Sequence, residues 1–112
     1  MKQYVIDDIR EPEMRRLKAW CADNLSRSCF DNVFWLHLAE SVLNDVQRAH
    51  AECKPLYFSV TLEEDMGRLV IDMAVRTARS MHCECMGFID TRQFAWLDHY
   101  LDTVFAGLNI KI

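Results

Sequence analysis

Residues 56–81 read LYFSVTLEEDMGRLVIDMAVRTARSM, and two incompatible conformations compete for them. Apolar residues alternate with other residues on both sides of a turn-like segment at residues 63–67. They are Leu56, Phe58, Val60 and Leu62 before it, and Leu69, Ile71, Met73 and Val75 after it. Alternation of this kind is typical of strands that bury one face, so the apolar pattern indicates a β-hairpin.

The charged residues of the same segment favour a helix. Successive members of the charged set are three or four positions apart: Asp65, Arg68, Asp72, Arg76 and Arg79. In a helix this spacing builds one stripe of acids and bases, whereas in a strand it scatters them over both faces. Thr61-Leu62-Glu63-Glu64 also has the form of a capping box. We therefore predict a helix over residues 62–81.

Three other segments also show helical signals. Residues 12–25 follow Glu11 and carry apolar residues at steps of three and four, and Pro12 suits a first helical turn. Residues 30–51 separate into an apolar and a polar arc when projected on a helix. The last helix begins after the capping residue Asp90 and ends near Gly107.

These segments predict one domain over residues 1–112, because no linker or low-complexity tract divides the chain. The predicted fold class is mainly α: a compact bundle of about four helices with one or two short extended segments. The alternative is an α+β fold with a small antiparallel sheet formed by residues 56–75 and 83–89.

The composition is that of a folded, mildly acidic protein, with 51% hydrophobic residues, 27% charged residues and a formal net charge of −4. Proteins that bind nucleic acid through its phosphates carry an excess of Lys and Arg, so no nucleic acid is expected as a partner. No apolar run is long enough to cross a membrane, and the N-terminus lacks the apolar core of a secretion signal. We therefore expect a cytoplasmic protein that does not engage a membrane.

The five cysteines are odd in number and lack a paired spacing, which favours reduced thiols over a disulfide framework. One Cys-x-Cys pair lies in His82-Cys83-Glu84-Cys85, and His50 and Cys53 form a second short pair. The candidate metal ligands are His50, Cys53, His82, Cys83, Cys85 and His99. Structural zinc sites usually show two Cys-x₂-Cys-like pairs, so we predict ordinary packing of the cysteines and no cofactor.

No catalytic or nucleotide-binding motif occurs in the sequence. The Glu-x-x-His motif of di-iron bundles is absent, and the three isolated glycines form neither Gly-x-Gly-x-x-Gly nor a phosphate-binding loop. We therefore predict a protein that is not an enzyme.

The predicted function is a small acidic cytoplasmic protein–protein interaction module, such as an inhibitor, immunity-type protein, adaptor or chaperone. The candidate partner-binding residues are Trp96, Phe34, Glu63, Glu64 and Asp65. A partner with a basic surface would suit the acidic residues, and homo-oligomerisation is left open. The alternative is a metal- or thiol-dependent regulatory domain that uses His82, Cys83 and Cys85.

Overall fold

The computed structural model describes residues 2–79 and 82–111, which form an α+β fold. The strands are β1 (Gln3–Ile6), β2 (Ser26–Arg27), β3 (Val33–His37), β4 (Leu56–Glu63), β5 (Arg68–Asp72), β6 (Ala74–Thr77) and β7 (Gly87–Phe88). The helices are α1 (Glu11–Asn24), α2 (Asp45–Ala49) and α3 (Thr91–Gly107). Short 3₁₀ turns lie at Glu40–Val42, Ala51–Cys53 and Glu64–Met66.

All seven strands belong to antiparallel pairs. The order is β1-β5-β4-β3-β2, with β6 beside the first residues of β4 and β7 beside β6. The register places Val60 opposite Ile71 and Leu56 opposite Thr77. Strand β4 therefore pairs with β5 along its second half and with β6 at its start, so β4, β5 and β6 form one long, bent hairpin.

The core lies between one face of the sheet and helices α1 and α3. Its buried side chains include Phe34, Leu36, Phe58, Val60, Leu69 and Ile71 from the strands, and Met14, Leu17, Leu97, Leu101 and Phe105 from the helices. Trp20 of α1 meets Tyr100 of α3 edge-to-face, with ring centroids 6.3 Å apart. The two helices therefore lie side by side on that face. Within residues 2–79 and 82–111, no helix is both long enough and apolar enough to cross a membrane.

The predicted helix over residues 62–81 is wrong, because its described residues form the end of β4 together with β5 and β6. Residues 80 and 81 lie outside the described residues. Three of the charges that suggested a helical stripe, Arg68, Asp72 and Arg76, form ion pairs within the sheet. Glu63 and Arg68 are direct cross-strand partners, with 2.6 Å between Oε1 and Nε. Asp72 and Arg76 pair across the bend between β5 and β6, at 2.7 Å.

The hairpin turn requires glycine at position 67. Gly67 has a φ of +65°, and a Cβ at this position would lie 2.7 Å from the carbonyl oxygen of Ile9. The backbone N–H of Ile9 donates to the Gly67 carbonyl at 2.9 Å. The turn is therefore held tightly against the connection between β1 and α1, and a left-handed residue without a side chain fits there.

The predicted helix over residues 30–51 is also wrong. This segment forms β3, a 3₁₀ turn and the short helix α2. On β3, Phe34 and Leu36 face the core, while Trp35 stacks on Tyr57 with ring centroids 4.3 Å apart. Both faces of β3 are thus apolar, and a strand with two apolar faces can imitate the apolar arc of a helix.

The helices predicted over residues 12–25 and after Asp90 are confirmed as α1 and α3. The bundle of about four helices is wrong, because a seven-stranded sheet forms the centre of the fold. The structure has the α+β class that was kept as the alternative. Its sheet is larger than expected, because β1, β2 and β3 join the strands from residues 56–75.

Candidate metal centre

Four potential metal ligands converge where the chain enters β4 and leaves β6. They are His50, Cys53, Cys83 and Cys85, and their ligand atoms all lie within 4.8 Å of one another. His50 Nδ1 is 2.8 Å from Cys83 Sγ, and Cys53 Sγ is 3.6 Å from Cys83 Sγ. One imidazole and three thiols make up a ligand set that structural zinc centres use.

The bent hairpin brings the two ligand pairs together. Leu56 and Thr77 are register partners, so the segment that precedes β4 lies beside the segment that follows β6. The Thr77 hydroxyl donates a hydrogen bond to the backbone carbonyl of Cys53 and fastens the two segments to each other. Residues that are 30 positions apart, Cys53 and Cys83, thereby become neighbours.

Each ligand pair sits on its own short turn. His50 ends α2, and its carbonyl accepts a hydrogen bond from the Cys53 N–H at 3.0 Å. In the β6–β7 connection, the Met86 N–H donates to the Cys83 carbonyl, also at 3.0 Å. Turns of this kind hold two side chains on one side of the backbone, which is how short chelate pairs work in zinc proteins.

The three thiols differ in their exposure and in their pKa values, because their burial and hydrogen bonding differ. Cys53 and Cys85 are only 5% and 1% exposed, whereas Cys83 is half-buried. The backbone N–H of Cys85 stabilises a thiolate on Cys83 and lowers the pKa of Cys83 to about 7. Burial raises the pKa of Cys53 and of Cys85. Without metal, the cluster therefore combines one acidic thiol with two thiols that retain their protons.

Two buried glutamines connect this cluster to helix α3. Gln47 donates from Nε2 to the Cys85 carbonyl at 3.1 Å, and Gln93 donates from Nε2 to Gln47 Oε1 at 2.8 Å. Gln93 Nε2 also donates to the Val42 carbonyl at 3.1 Å. Buried amides of this kind contribute to stability when they are hydrogen-bonded. The two glutamines therefore hold the backbone of the Cys85 turn in place.

The size of the cluster suits a tetrahedral ion. Zinc binds thiolate sulfur at about 2.3 Å and imidazole nitrogen at about 2.0–2.1 Å, which puts neighbouring ligand atoms roughly 3.5–3.8 Å apart. The Cys53–Cys83 sulfur separation of 3.6 Å falls in this range. The His50–Cys83 contact of 2.8 Å is shorter, because these two groups are hydrogen-bonded to each other. All four ligand atoms lie within 4.8 Å of one another, so binding an ion would require small adjustments of the side chains.

The structure brings together four of the six predicted ligands. His82 is exposed beside Cys83, and its ring is not among the converging ligand atoms. His99 is exposed on α3, where it lines a groove with Trp20 and Trp96. Cys21 is not part of this cluster. It is buried in α1 as an ordinary packed side chain.

The predicted partner-binding residues are dispersed over the molecule. Phe34 is 4% exposed and belongs to the core. Glu63 pairs with Arg68, and Glu64 contacts Lys18 at 3.4 Å, while Asp65 is exposed on the hairpin turn. Trp96 is half-buried against Tyr100, with ring centroids 5.4 Å apart.

Sequence reasoning missed the supporting residues Gln47 and Gln93. Both are the third residue of a helix whose N-cap is an Asn or Asp: Asn44 caps α2 and Asp90 caps α3. In each helix the glutamine oxygen accepts from the N-cap backbone N–H, which leaves its amide nitrogen free to donate elsewhere. A capping box with Gln in place of Glu was the available signal, because only Gln offers that second donor.

The chain was compared with family models, curated proteins and solved structures, and no match was found in any of the three.

Proposed function

We propose that this protein is a zinc-binding domain in which His50, Cys53, Cys83 and Cys85 hold one Zn²⁺ ion. The observation that carries this proposal is the convergence of the four ligand atoms within 4.8 Å. Thiolate and imidazole ligands select soft or borderline cations such as Zn²⁺, whereas Ca²⁺ and Mg²⁺ require oxygen ligands. Four protein ligands also fill a tetrahedral shell, so the role of the ion is structural.

In this role the ion would join the turn before β4 to the connection between β6 and β7. Both turns lie next to the paired ends of β4 and β6, where Leu56 is opposite Thr77. Binding energy from a structural ion adds directly to folding stability, since the unfolded chain offers no preformed site. The domain would then present the connection around Cys83 and Cys85 in one fixed conformation.

The cytoplasm is the proposed compartment, since three thiols must remain reduced to hold the ion. The protein–protein interaction module remains a prediction from the sequence. Of its five candidate residues, Asp65 is exposed and outside the ion pairs described above, and Trp96 is half-buried. A zinc-stabilised domain and an interaction module are compatible, because structural zinc often shapes a surface without chemistry of its own.

Elemental analysis of the purified, reduced chain tests the proposal. We expect about one zinc per chain, and reconstitution with Co²⁺ should give the visible bands of a tetrahedral, thiolate-ligated ion. Cys53→Ser and Cys85→Ser should reduce the metal content severely. Cys29→Ser is the matched control, because Cys29 is exposed and lies outside the cluster.

A wild-type chain that takes up neither Zn²⁺ nor Co²⁺ under reducing conditions would contradict the proposal. The cobalt titration uses the unaltered sequence, so the test does not depend on whether a serine variant folds. The bound element also decides between zinc and another thiophilic ion. Stoichiometric iron or copper in place of zinc would reject the identity of the metal proposed here.

A further inference from the structure

We propose that a peroxide converts Cys53 and Cys83 into a disulfide that expels the zinc ion and leaves the sheet intact. This inference rests on the proposed zinc function and assigns a redox control to the same site. Three observations support it. The two sulfurs are in contact, and they differ in exposure. They also lie on two turns that are already joined by a hydrogen bond.

The Cys53 and Cys83 sulfurs are placed for bond formation; the Cys85 thiol also interacts with both, but it is buried, whereas Cys83 is half-buried. They are 3.6 Å apart, and a disulfide bond needs about 2.05 Å. Both residues lie on turns outside the strands, so the approach does not require a change in strand register. Cys83 and Cys85 are separated by one residue, and a disulfide between them would close a small ring with strained torsions.

Exposure decides which sulfur reacts first. Cys83 is half-buried, while Cys53 and Cys85 are buried. A small peroxide arriving from solvent therefore meets Cys83 before the other two ligands. Susceptibility to oxidation follows the accessibility of a thiolate, and a second cysteine in contact resolves the first product.

The chemistry requires hydrogen peroxide as the oxidant. The Cys83 thiolate attacks one peroxide oxygen: an S–O bond forms, the O–O bond breaks, and the leaving hydroxide takes a proton from solvent. The Cys53 thiolate then attacks the Cys83 sulfur, so that the S–S bond forms and the S–O bond breaks. The second hydroxide is likewise protonated. Each sulfur loses one electron, the peroxide gains two, and the products are a disulfide and two waters.

The zinc ion cannot stay bound after this reaction. Its shell loses two thiolates and keeps only His50 and Cys85, which is too few for a stable structural site. The disulfide nevertheless joins the same two turns that the ion had joined. Because Leu56 and Thr77 remain paired beside it, the sheet keeps its cross-link and its register.

The test uses the zinc-loaded wild-type chain and equimolar hydrogen peroxide. We expect about one zinc released to a chromogenic chelator and about two thiols lost per peroxide consumed. Mass spectrometry should map the disulfide to Cys53 and Cys83, while the far-UV circular dichroism stays unchanged. Dithiothreitol with added Zn²⁺ should restore the metal content. Cys29→Ser should behave as the wild type does.

The possible failures are distinguishable. A zinc-loaded chain that keeps its metal through this treatment overturns the redox inference and leaves the zinc function standing. A disulfide at another pair of cysteines, or loss of the sheet signal on oxidation, also overturns it. A chain that never takes up zinc overturns both proposals.

Discussion

Gln47 donates a hydrogen bond from its side-chain amide to the backbone carbonyl of Cys85, across a distance of 3.1 Å. The two residues belong to different segments, one to the first turn of α2 and the other to the β6–β7 connection. Gln47, which is not one of the four converging residues, therefore fixes the backbone of a residue in the candidate metal centre.

Replacing this glutamine should weaken both the fold and the metal site. Gln47→Met keeps the approximate volume of the buried side chain and removes its hydrogen bonds to the Cys85 carbonyl and to Gln93. We expect a loss of roughly 1–3 kcal/mol in the free energy of unfolding, because buried partners are left unsatisfied. Loss of an outer hydrogen-bond partner should also lower zinc affinity roughly tenfold.

Urea unfolding and a competition titration against a zinc chelator measure these two effects. Gln3→Met is the control, because Gln3 is exposed on the edge strand β1. If Gln47→Met and Gln3→Met behave alike in both measurements, the buried amide does not support the site.

Gly67→Ala should destabilise the hairpin on which the site depends. An alanine here would take a φ of +65° and bring its Cβ against the carbonyl oxygen of Ile9 at 2.7 Å. The left-handed conformation alone costs roughly 1–2 kcal/mol, and the contact with Ile9 adds to it. Gly107→Ala is the matched control, since a Cβ at position 107 meets nothing within 4 Å.

Chemical unfolding of the two alanine variants provides the measurement. Gly107→Ala should be neutral or up to about 1 kcal/mol more stable, because alanine favours the helix. Equal stability of the two variants would contradict the account of the turn.

Burial of Cys21 should make the fold sensitive to alkaline pH. Burial raises the pKa of the Cys21 thiol from 9.0 to about 12. The folded state therefore keeps the proton above pH 9, whereas the unfolded state releases it and gains stability. The contribution of Cys21 is fully present below pH 9 and is lost as the pH rises towards 12, by up to about 1.4 kcal/mol per pH unit.

Unfolding curves at several pH values between 8 and 11 measure this dependence. Cys21→Ala should show a shallower decline of stability with pH than the wild type. Cys29→Ala should keep the wild-type slope, because Cys29 is exposed. A wild-type slope in Cys21→Ala would show that this thiol is not protected in the folded state.

Removal of zinc should loosen one end of the molecule. In the chelator-treated chain, the backbone amide of Met86 should exchange with deuterium faster, since it belongs to the β6–β7 connection that the ion would hold. The β3–β4 amides should keep their protection, because their register does not depend on the ion. Hydrogen exchange with and without chelator tests this, and uniform loss of protection would instead indicate global unfolding.

The sequence was sufficient for the two long helices, and it showed the two short His/Cys spacings while favouring ordinary packing of the cysteines. Helix α1 follows from its Pro12 entrance, and α3 from the Asp90 cap and a regular apolar stripe. The pairs His50–Cys53 and Cys83–Cys85 are visible as short spacings. These signals are local to their own segments and do not depend on how distant segments pair.

The convergence of the two ligand pairs was not predictable in the same way. Whether Cys53 and Cys83 meet depends on the strand pairing of the residues between them, and a helix over residues 62–81 sends the pairs apart. The spacing of Arg68, Asp72 and Arg76 favoured a helix, but ion pairs form across strands as well as along helices. In this segment, charged residues spaced by three and four positions were therefore a weaker indication of a helix than the alternating apolar residues were of a hairpin.

Because Leu56 and Thr77 are register partners, the position of an insertion or deletion in this hairpin decides its effect on the fold. A codon gained at the exposed tip, near Met66, would leave both ends of the hairpin aligned. A codon lost within β4 alone would shift every partner by one position and turn its side chains to the opposite face. Under the proposed zinc function, metal content would then report strand alignment, since the pairs His50–Cys53 and Cys83–Cys85 meet only when the strands are in register.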